Sequence, residues 1–231
     1  AEVAKTVVGQ GFKGLKMQVG RPGLDTRKNP PPVGEIIARD ALRIRGVRAA
    51  VGPEVEIAID AGCRLDLPSA VRLALSVEDQ DIAFFEEPIM QNDVKLLAEM
   101  RRKTKIPLTA GQNEGLAYRF RDMLVEGAVD LVQPNVIITG GLTQCLRIAG
   151  MAEAFNVQIS NGGGAPFQNR HLQAGVGNGT ALEWQFNAVL ACSAIYKDLP
   201  GHEDGWMVMS DDPGLGLTAD REAIDRLVDK G

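Results

Sequence analysis

The sequence predicts an α/β protein that folds as a TIM-type (β/α) barrel with seven or eight strands. Apolar segments of strand length alternate with segments of helix length along most of the chain, which is typical of a parallel sheet. Three of the strand-like segments end in Asp60, Glu86 and Gln112, each separated from the next by 26 positions. One strand, one helix and two loops fill that interval, and such barrels carry their chemistry where the strands end. We therefore expect the three side chains to converge at the barrel mouth.

The individual elements follow from apolar periodicity and from Pro and Gly positions. Strands are predicted at 14–19, 54–61, 81–88, 106–112, 130–136, 157–162 and 181–186. Helices are predicted up to residue 10, at 35–50, 68–77, 92–103, 117–126, 141–155 and 166–176, and at the C-terminus. Residues 21–34 are rich in Pro, Gly and charge and are predicted to form an exposed loop.

The domain organisation predicted from this pattern is a barrel over 1–205 and an extension over 206–231 that packs outside the repeat. An eight-stranded barrel typically takes about 250 residues, whereas this chain has 231. The chain begins with a helix, where a complete barrel would first have a strand. We therefore expect the first strand to lie outside this chain.

Composition argues against some classes of partner. The net charge is −5 and the basic residues are scattered, which argues against nucleic acid or an acidic membrane as a partner. Cys63, Cys145 and Cys192 are an odd number without the spacing of a metal site, which is typical of a reducing compartment. With no signal peptide and no apolar run of membrane-spanning length in the sequence, the predicted location is the cytoplasm.

The donor set at the predicted mouth indicates a hard cation. Asp60, Glu86 and Gln112 offer oxygen ligands, and no His or Cys ligand is close in sequence, so Mg²⁺ is favoured over zinc. Simpler roles remain open: Asp60 can cap the following helix, and Gln112 can merely fill the mouth. Lys16 can be a structural partner of Glu86 instead of a base.

Several segments together resemble the enolase superfamily, and within it the barrel domain of the mandelate racemase and muconate lactonizing enzyme group. The segments are GFKGLKMQVG, IAIDAG, FFEEP, TAGQNEG, LVQPNVIITGGLTQC and DDPGLGL. The resemblance covers essentially the whole chain. It implies Mg²⁺ held by Asp60, Glu86 and Gln112, and an isomerase or lyase that removes the α-proton of a small carboxylate, as a racemase, epimerase or acid-sugar dehydratase. It also implies a homo-oligomer, and an N-terminal capping domain that we expect to lie outside this chain.

The sequence departs from the family pattern at the third ligand and at the bases. Gln112 replaces a carboxylate, and Glu114 is an alternative ligand. Amides replace the family's bases, and an amide accepts no proton near neutral pH. Lys16 is the remaining candidate for proton transfer, and the residues predicted to contact substrate are Gln18, Asn135, Asn161 and Glu183.

These departures leave two other functions open. The chain can be a divergent member that has lost acid/base chemistry and serves as a binding or non-catalytic protein. It can also be a phosphate-binding barrel that uses the glycines at 162–164, because glycines before a helix leave backbone N–H groups available.

Overall fold

The computed structural model describes residues 1–20 and 31–228, so the predicted loop at 21–34 lies mostly outside the described residues. The described chain divides into two compact units. We call 1–111 with 119–132 the N-terminal unit, and 112–118 with 133–231 the C-terminal unit. No described helix combines the length and the apolar composition needed to cross a membrane.

The N-terminal unit alternates strands with helices, as predicted. Its strands are β1 (Gly14–Gln18), β2 (Glu56–Asp60), β3 (Ile82–Glu86), β4 (Leu108–Ala110) and β5 (Leu131–Val132). Its helices are α1 (Glu2–Gly9), α2 (Val33–Val51), α3 (Leu67–Val77) and α4 (Val94–Arg101). Short 3₁₀ turns lie at Glu78–Gln80 and Met90–Asn92. The helix α5 (Leu116–Val125) begins in the C-terminal unit and ends in the N-terminal unit.

The strands β1 to β5 pair in parallel and in sequence order, which is the arrangement of a (β/α) barrel wall. Ile57, Ile59, Phe85 and Leu108 are fully buried and project to one face of the sheet. The other face carries the polar side chains at the strand ends. Alternation along each strand therefore separates the hydrophobic core from the candidate site.

Local side chains fix where the helices of this unit begin. Asp66 precedes α3 and accepts a hydrogen bond from the Ser69 N–H at 2.9 Å. Asp93 precedes α4 and accepts from the N–H groups of Lys95 and Leu96. These caps satisfy backbone donors that the first helical turn leaves without partners. As a result, each helix starts shortly after the strand end that precedes it.

The C-terminal unit has less regular structure. Its elements are α6 (Gly141–Ala154), β6 (Gln158–Ile159), α7 (Pro166–Gly175), α8 (Phe186–Ser193), β7 (Tyr196–Lys197), β8 (Thr218–Ala219) and α9 (Arg221–Val228). The strand predicted at 181–186 is wrong, because 181–185 form no regular structure and α8 follows directly. The contact with β6 lies slightly earlier, at a parallel bridge between Ile159 and Gly179.

The cause of that error is visible in the hydrogen bonds. Instead of joining a strand ladder, the Glu183 N–H donates to the Asn161 side-chain oxygen at 3.0 Å. Alternating apolar residues predicted a strand here, but the Glu183 N–H is hydrogen-bonded to the buried Asn161 side chain and is not available to a neighbouring strand. The antiparallel pair of β7 and β8 was not predicted either; it joins 196–197 to 218–219, two segments whose pairing sequence spacing does not reveal. The predicted boundary between 205 and 206 stays a prediction.

Candidate functional site

A buried carboxylate pair marks the C-terminal ends of β2 and β3. Asp60 and Glu86 are register partners on adjacent parallel strands, so their side chains project to the same face. Glu86 is 0 % exposed and Asp60 is 7 % exposed. Two anions at this depth are costly unless a cation lies between them.

Lys16 supplies that cation in this structure. Its Nζ atom is 2.5 Å from Glu86 Oε2 and 3.6 Å from Asp60 Oδ2. It thus lies between the two carboxylates, as the structural alternative for Lys16 predicted. The position of the ammonium shows that the pair is arranged to hold a positive charge, which is the property a cation site requires.

Gln18 completes this row of the sheet, since it is the register partner of Asp60 on β1. Its side chain is exposed, unlike those of the two carboxylates. The end of β1 is fixed by α2: Asp40, which is 2 % exposed, accepts from the Gly20 N–H at 2.7 Å. Arg43 bonds both Asp40 and the Gln18 carbonyl. The sequence analysis did not single out Asp40, although an Asp among the apolar positions of an amphipathic helix is a usable signal.

Another buried carboxylate, Glu87, follows Glu86 directly in the sequence. Glu87 is 0 % exposed and accepts from the Asn92 amide at 3.0 Å, with the Cys63 thiol 3.2 Å from its other oxygen. Successive residues of a strand project to opposite faces, so two adjacent glutamates are not expected to share one face. Glu87 thus contacts Asn92 and Cys63, whereas Glu86 contacts Lys16.

The C-terminal unit holds the remaining predicted residues around its glycine loop. Gly163 and Gly164 have φ of 74° and 75°, a region that favours glycine. A Cβ on Gly163 would lie 3.1 Å from Asn135 Nδ2 and 3.4 Å from Gln112 Oε1. Gln112 and Asn135 therefore lie against the same turn, and that close approach requires a residue without a side chain.

The amides in this unit bond to the backbone. Asn135 donates to the Gly162 carbonyl at 2.7 Å, and Asn161 donates to the Gly164 carbonyl at 3.1 Å. Glu183 accepts from the Gly164 N–H at 2.6 Å. Asn135 and Asn161 are 0 % and 3 % exposed. Three of the four residues predicted to contact substrate are thus organised around the loop, and their contact with substrate stays a prediction.

Asn169 on α7 ties this arrangement together, and the sequence analysis missed it. It is 0 % exposed; its oxygen accepts from the Val136 N–H at 3.0 Å, while its amide donates to Asn135 Oδ1 at 3.0 Å. The same amide donates to the carbonyls of Gly164 and Ala165. A buried polar residue on a helix that follows a glycine loop is the only signal in the sequence, and it does not specify these partners.

The glycine loop offers little support for phosphate binding. The Gly164 N–H, one of the donors that such a loop would present, already bonds the Glu183 carboxylate. A carboxylate at that position repels a second anion.

Among the described residues, no group of three or more His, Cys, Asp or Glu side chains is arranged to hold a metal. A centre built on Asp60 and Glu86 therefore needs a neutral third donor, and Gln112 offers one. Gln112 and the carboxylate pair lie in different units, so their convergence stays a prediction.

Comparison with known proteins identifies the family. A family model described as "Enolase C-terminal domain-like" matches residues 1–223. The chain belongs to this family. The resemblance to the mandelate racemase and muconate lactonizing enzyme group is thereby confirmed, and so is the fold class of a TIM-type (β/α) barrel domain.

Solved structures of this family are similar over nearly all of the chain. A mandelate racemase/muconate lactonizing enzyme-like protein from Rubrobacter xylanophilus is 33 % identical with a TM-score of 0.86, covering 97 % of this chain and 59 % of that one. A racemase from Streptomyces coelicolor with bound magnesium is 26 % identical with a TM-score of 0.85, covering 98 % of this chain and 58 % of that one.

Curated relatives include acid-sugar dehydratases. The arabinonate dehydratase of Saccharolobus solfataricus is 28 % identical over 215 residues, which are 91 % of this chain and 54 % of that enzyme. The matched part of this chain covers about half of the length of three of the curated relatives, and about a third of the length of two others.

Proposed function

We propose that this protein is a Mg²⁺-dependent enzyme that removes the α-proton of a small sugar-derived carboxylate and expels the neighbouring hydroxyl, as an acid-sugar dehydratase does. The observation that carries the proposal is the buried pair of Asp60 and Glu86 around one cationic group. Dehydratases for arabinonate, galactonate and gluconate among the relatives support this reaction over racemisation or epimerisation.

The residues fit a magnesium ion. Asp60 and Glu86 present carboxylate oxygens on adjacent strand ends, and their common face already accommodates a positive charge. With Gln112 as the third ligand, the donors would be two anionic oxygens and one neutral oxygen, which suits a hard cation that keeps several waters. A bound Mg²⁺ would bind the substrate carboxylate and stabilise the negative charge that develops when the α-proton leaves.

Lys16 is the proposed acid/base residue. In this structure its ammonium forms ion pairs with both carboxylates. A divalent cation on the same carboxylates would compete with the ammonium for them. Lys16, after losing its own proton, would accept the α-proton as the bond between that proton and carbon breaks, and its ammonium would then protonate the hydroxyl that leaves as water. Gln18, exposed on the same face, would contact substrate hydroxyls.

Three polar side chains of the C-terminal unit, two amides and one carboxylate, are proposed to position substrate instead of reacting with it. Asn135, Asn161 and Glu183 hold a fixed turn through the backbone of Gly162 and Gly164. A fixed turn presents its remaining polar groups at constant positions, which favours binding of a sugar chain with several hydroxyls.

The experiment that tests the proposal follows proton removal directly. The protein is incubated in D₂O with Mg²⁺ and arabinonate, galactonate or gluconate, and NMR monitors the α-proton and the 2-keto-3-deoxy product. We expect loss of the α-proton with product formation, abolished by Lys16→Met. Lys13→Met, which removes an exposed lysine just before β1, is the matched control and should keep full activity.

The outcomes separate the alternatives. Exchange of the α-proton without product indicates a racemase or epimerase. No exchange with any acid sugar or α-hydroxy acid, and no rise in melting temperature with Mg²⁺, would contradict the proposal and favour a non-catalytic family member.

A further inference from the structure

The Thr109 hydroxyl is a buried polar group that the fold does not explain. Thr109 is 0 % exposed, and its Oγ1 atom has no hydrogen-bond partner among the residues that the structure describes. Buried hydroxyls are almost always hydrogen-bonded, and an unpaired one lowers stability. Valine has the same shape without that penalty and suits a strand equally well. The hydroxyl therefore calls for a partner beyond the protein's own side chains.

Strand register places this hydroxyl beside the carboxylate pair. Thr109 on β4 is the register partner of Glu86, which in turn is the register partner of Asp60. Directly paired residues of parallel strands project to the same face, about 4.8 Å apart. Thr109 thus continues the row of Asp60 and Glu86, on the face where the Lys16 ammonium lies.

The separation between neighbouring strands suits a bridging water. Two hydrogen bonds of ordinary length to one water, at the near-tetrahedral angle of water, span about the distance between adjacent strands. A magnesium ion keeps several of its waters, and each of those waters needs an acceptor for its protons. A threonine hydroxyl has two lone pairs for this purpose.

We propose that Thr109 is a positioning residue of the cation centre, and that its hydroxyl accepts a hydrogen bond from a water in the cation's hydration shell. The inference rests on the proposed function, because it requires a cation at Asp60 and Glu86. The proposal adds a residue of β4 to the cation centre. Thr109 precedes Gln112 by three positions in the sequence. The hydroxyl orients the coordinated water, and the water transmits that orientation to the cation.

Thr109→Val tests the inference with a nearly isosteric change. Mn²⁺ serves as the probe, with its affinity measured by EPR titration and its bound waters by pulsed EPR. We expect the melting temperature without metal to stay the same or rise, because an unpaired buried hydroxyl is removed. We expect the Kd for Mn²⁺ to increase about tenfold, the lower end of what outer-shell partners contribute. Thr109→Ser should restore the affinity to within about twofold.

Thr104→Val is the matched control, because it makes the same change in the segment that precedes β4. Thr104 Oγ1 accepts from the Ile106 N–H at 3.1 Å, so its hydroxyl has a structural partner. We expect the reverse pattern: a lower melting temperature without metal and an unchanged Kd for Mn²⁺.

Two results would overturn the inference while leaving the proposed function in place. One is a Thr109→Val protein that binds Mn²⁺ as tightly as the wild type. The other is a loss of metal-free stability as large as that of Thr104→Val. A wild-type protein that binds no Mn²⁺ at millimolar concentration overturns the proposed function and the inference together. If Thr109→Val does not fold, the Kd of Thr109→Ala decides in the same way.

Discussion

The two units of the molecule use their buried polar side chains in opposite ways. In the N-terminal unit, the carboxylates of Glu86 and Asp60 pair with the Lys16 ammonium, although Asp60 also accepts from the Gly62 N–H. In the C-terminal unit, Asn135 and Asn169 bond mainly to backbone groups. A carboxylate that is paired with one cation can pair with a different cation instead. An amide that is hydrogen-bonded to backbone groups fixes the position of the backbone. We therefore expect the proposed chemistry at the charged residues of the N-terminal unit, and a structural role for the amides of the C-terminal unit.

The largest expected effect is at the carboxylate pair. Asp60→Asn removes one of the two proposed anionic ligands and should lower the proposed turnover of an acid sugar on the order of a thousandfold, because charge stabilisation in such sites is worth that much. Initial rates by NMR and the Kd for Mn²⁺ by EPR measure the loss. Asp225→Asn, which changes an exposed Asp on α9, controls for net charge. A mutant at Asp60 that keeps its rate would mean that the charges of the N-terminal unit are structural.

The supporting role of the C-terminal unit is tested at Asn169. Asn169→Ala leaves the Val136 N–H without its side-chain acceptor and removes one of the two amides that donate to the Gly164 carbonyl. We expect a loss of about 3 kcal/mol in the free energy of unfolding, measured by urea denaturation. The exposed Asn187→Ala on α8 should change it by less than about 0.5 kcal/mol. An Asn169→Ala protein of normal stability and lowered turnover would assign this amide to substrate instead.

The pH dependence of stability reports how well the C-terminal unit excludes water. Burial raises the pKa of the Cys145 thiol from 9.0 to about 11, although a hydrogen bond with Thr139 opposes the shift. The protonated thiol is the form that folding favours, so its contribution is complete below pH 9 and is lost as the pH rises toward 11. The free energy of unfolding of the wild type, relative to Cys145→Ala, should fall by about 2 to 3 kcal/mol across that window. A constant difference would show that the thiol reaches water.

The smallest expected effect is at Gln112, the predicted third ligand of the cation. Gln112→Glu adds the third carboxylate of the family pattern and should strengthen Mg²⁺ binding about tenfold, because affinity follows the charge of the ligands. Calorimetric titration measures the change. Glu114→Gln should leave the affinity as it is. Weaker binding in Glu114→Gln, with no gain in Gln112→Glu, would make Glu114 the third ligand.

Much of the fold could be predicted from sequence because its signals are local. Alternation in EIAID places Asp60 opposite Ile57 and Ile59. In IAFFE it places Glu86 opposite its neighbour Phe85. Asp66 and Asp93 likewise set helix starts through bonds to residues two or three positions away. The strand predicted at 181–186 failed because the Glu183 N–H bonds Asn161, a partner 22 positions away that the local pattern does not contain.

The sequence by itself determined which residues end the strands and which of them carry charge, since strand alternation and helix caps depend on near neighbours. Tertiary structure alone decided what those residues bond to. Lys16 reaches Glu86 across 70 positions, Asn169 reaches Asn135 across 34, and Thr109 is left with a hydroxyl that no described residue satisfies. The reason is physical: the free energy of a buried polar group depends on the donors and acceptors that folding brings to it, and these come from distant segments of the chain.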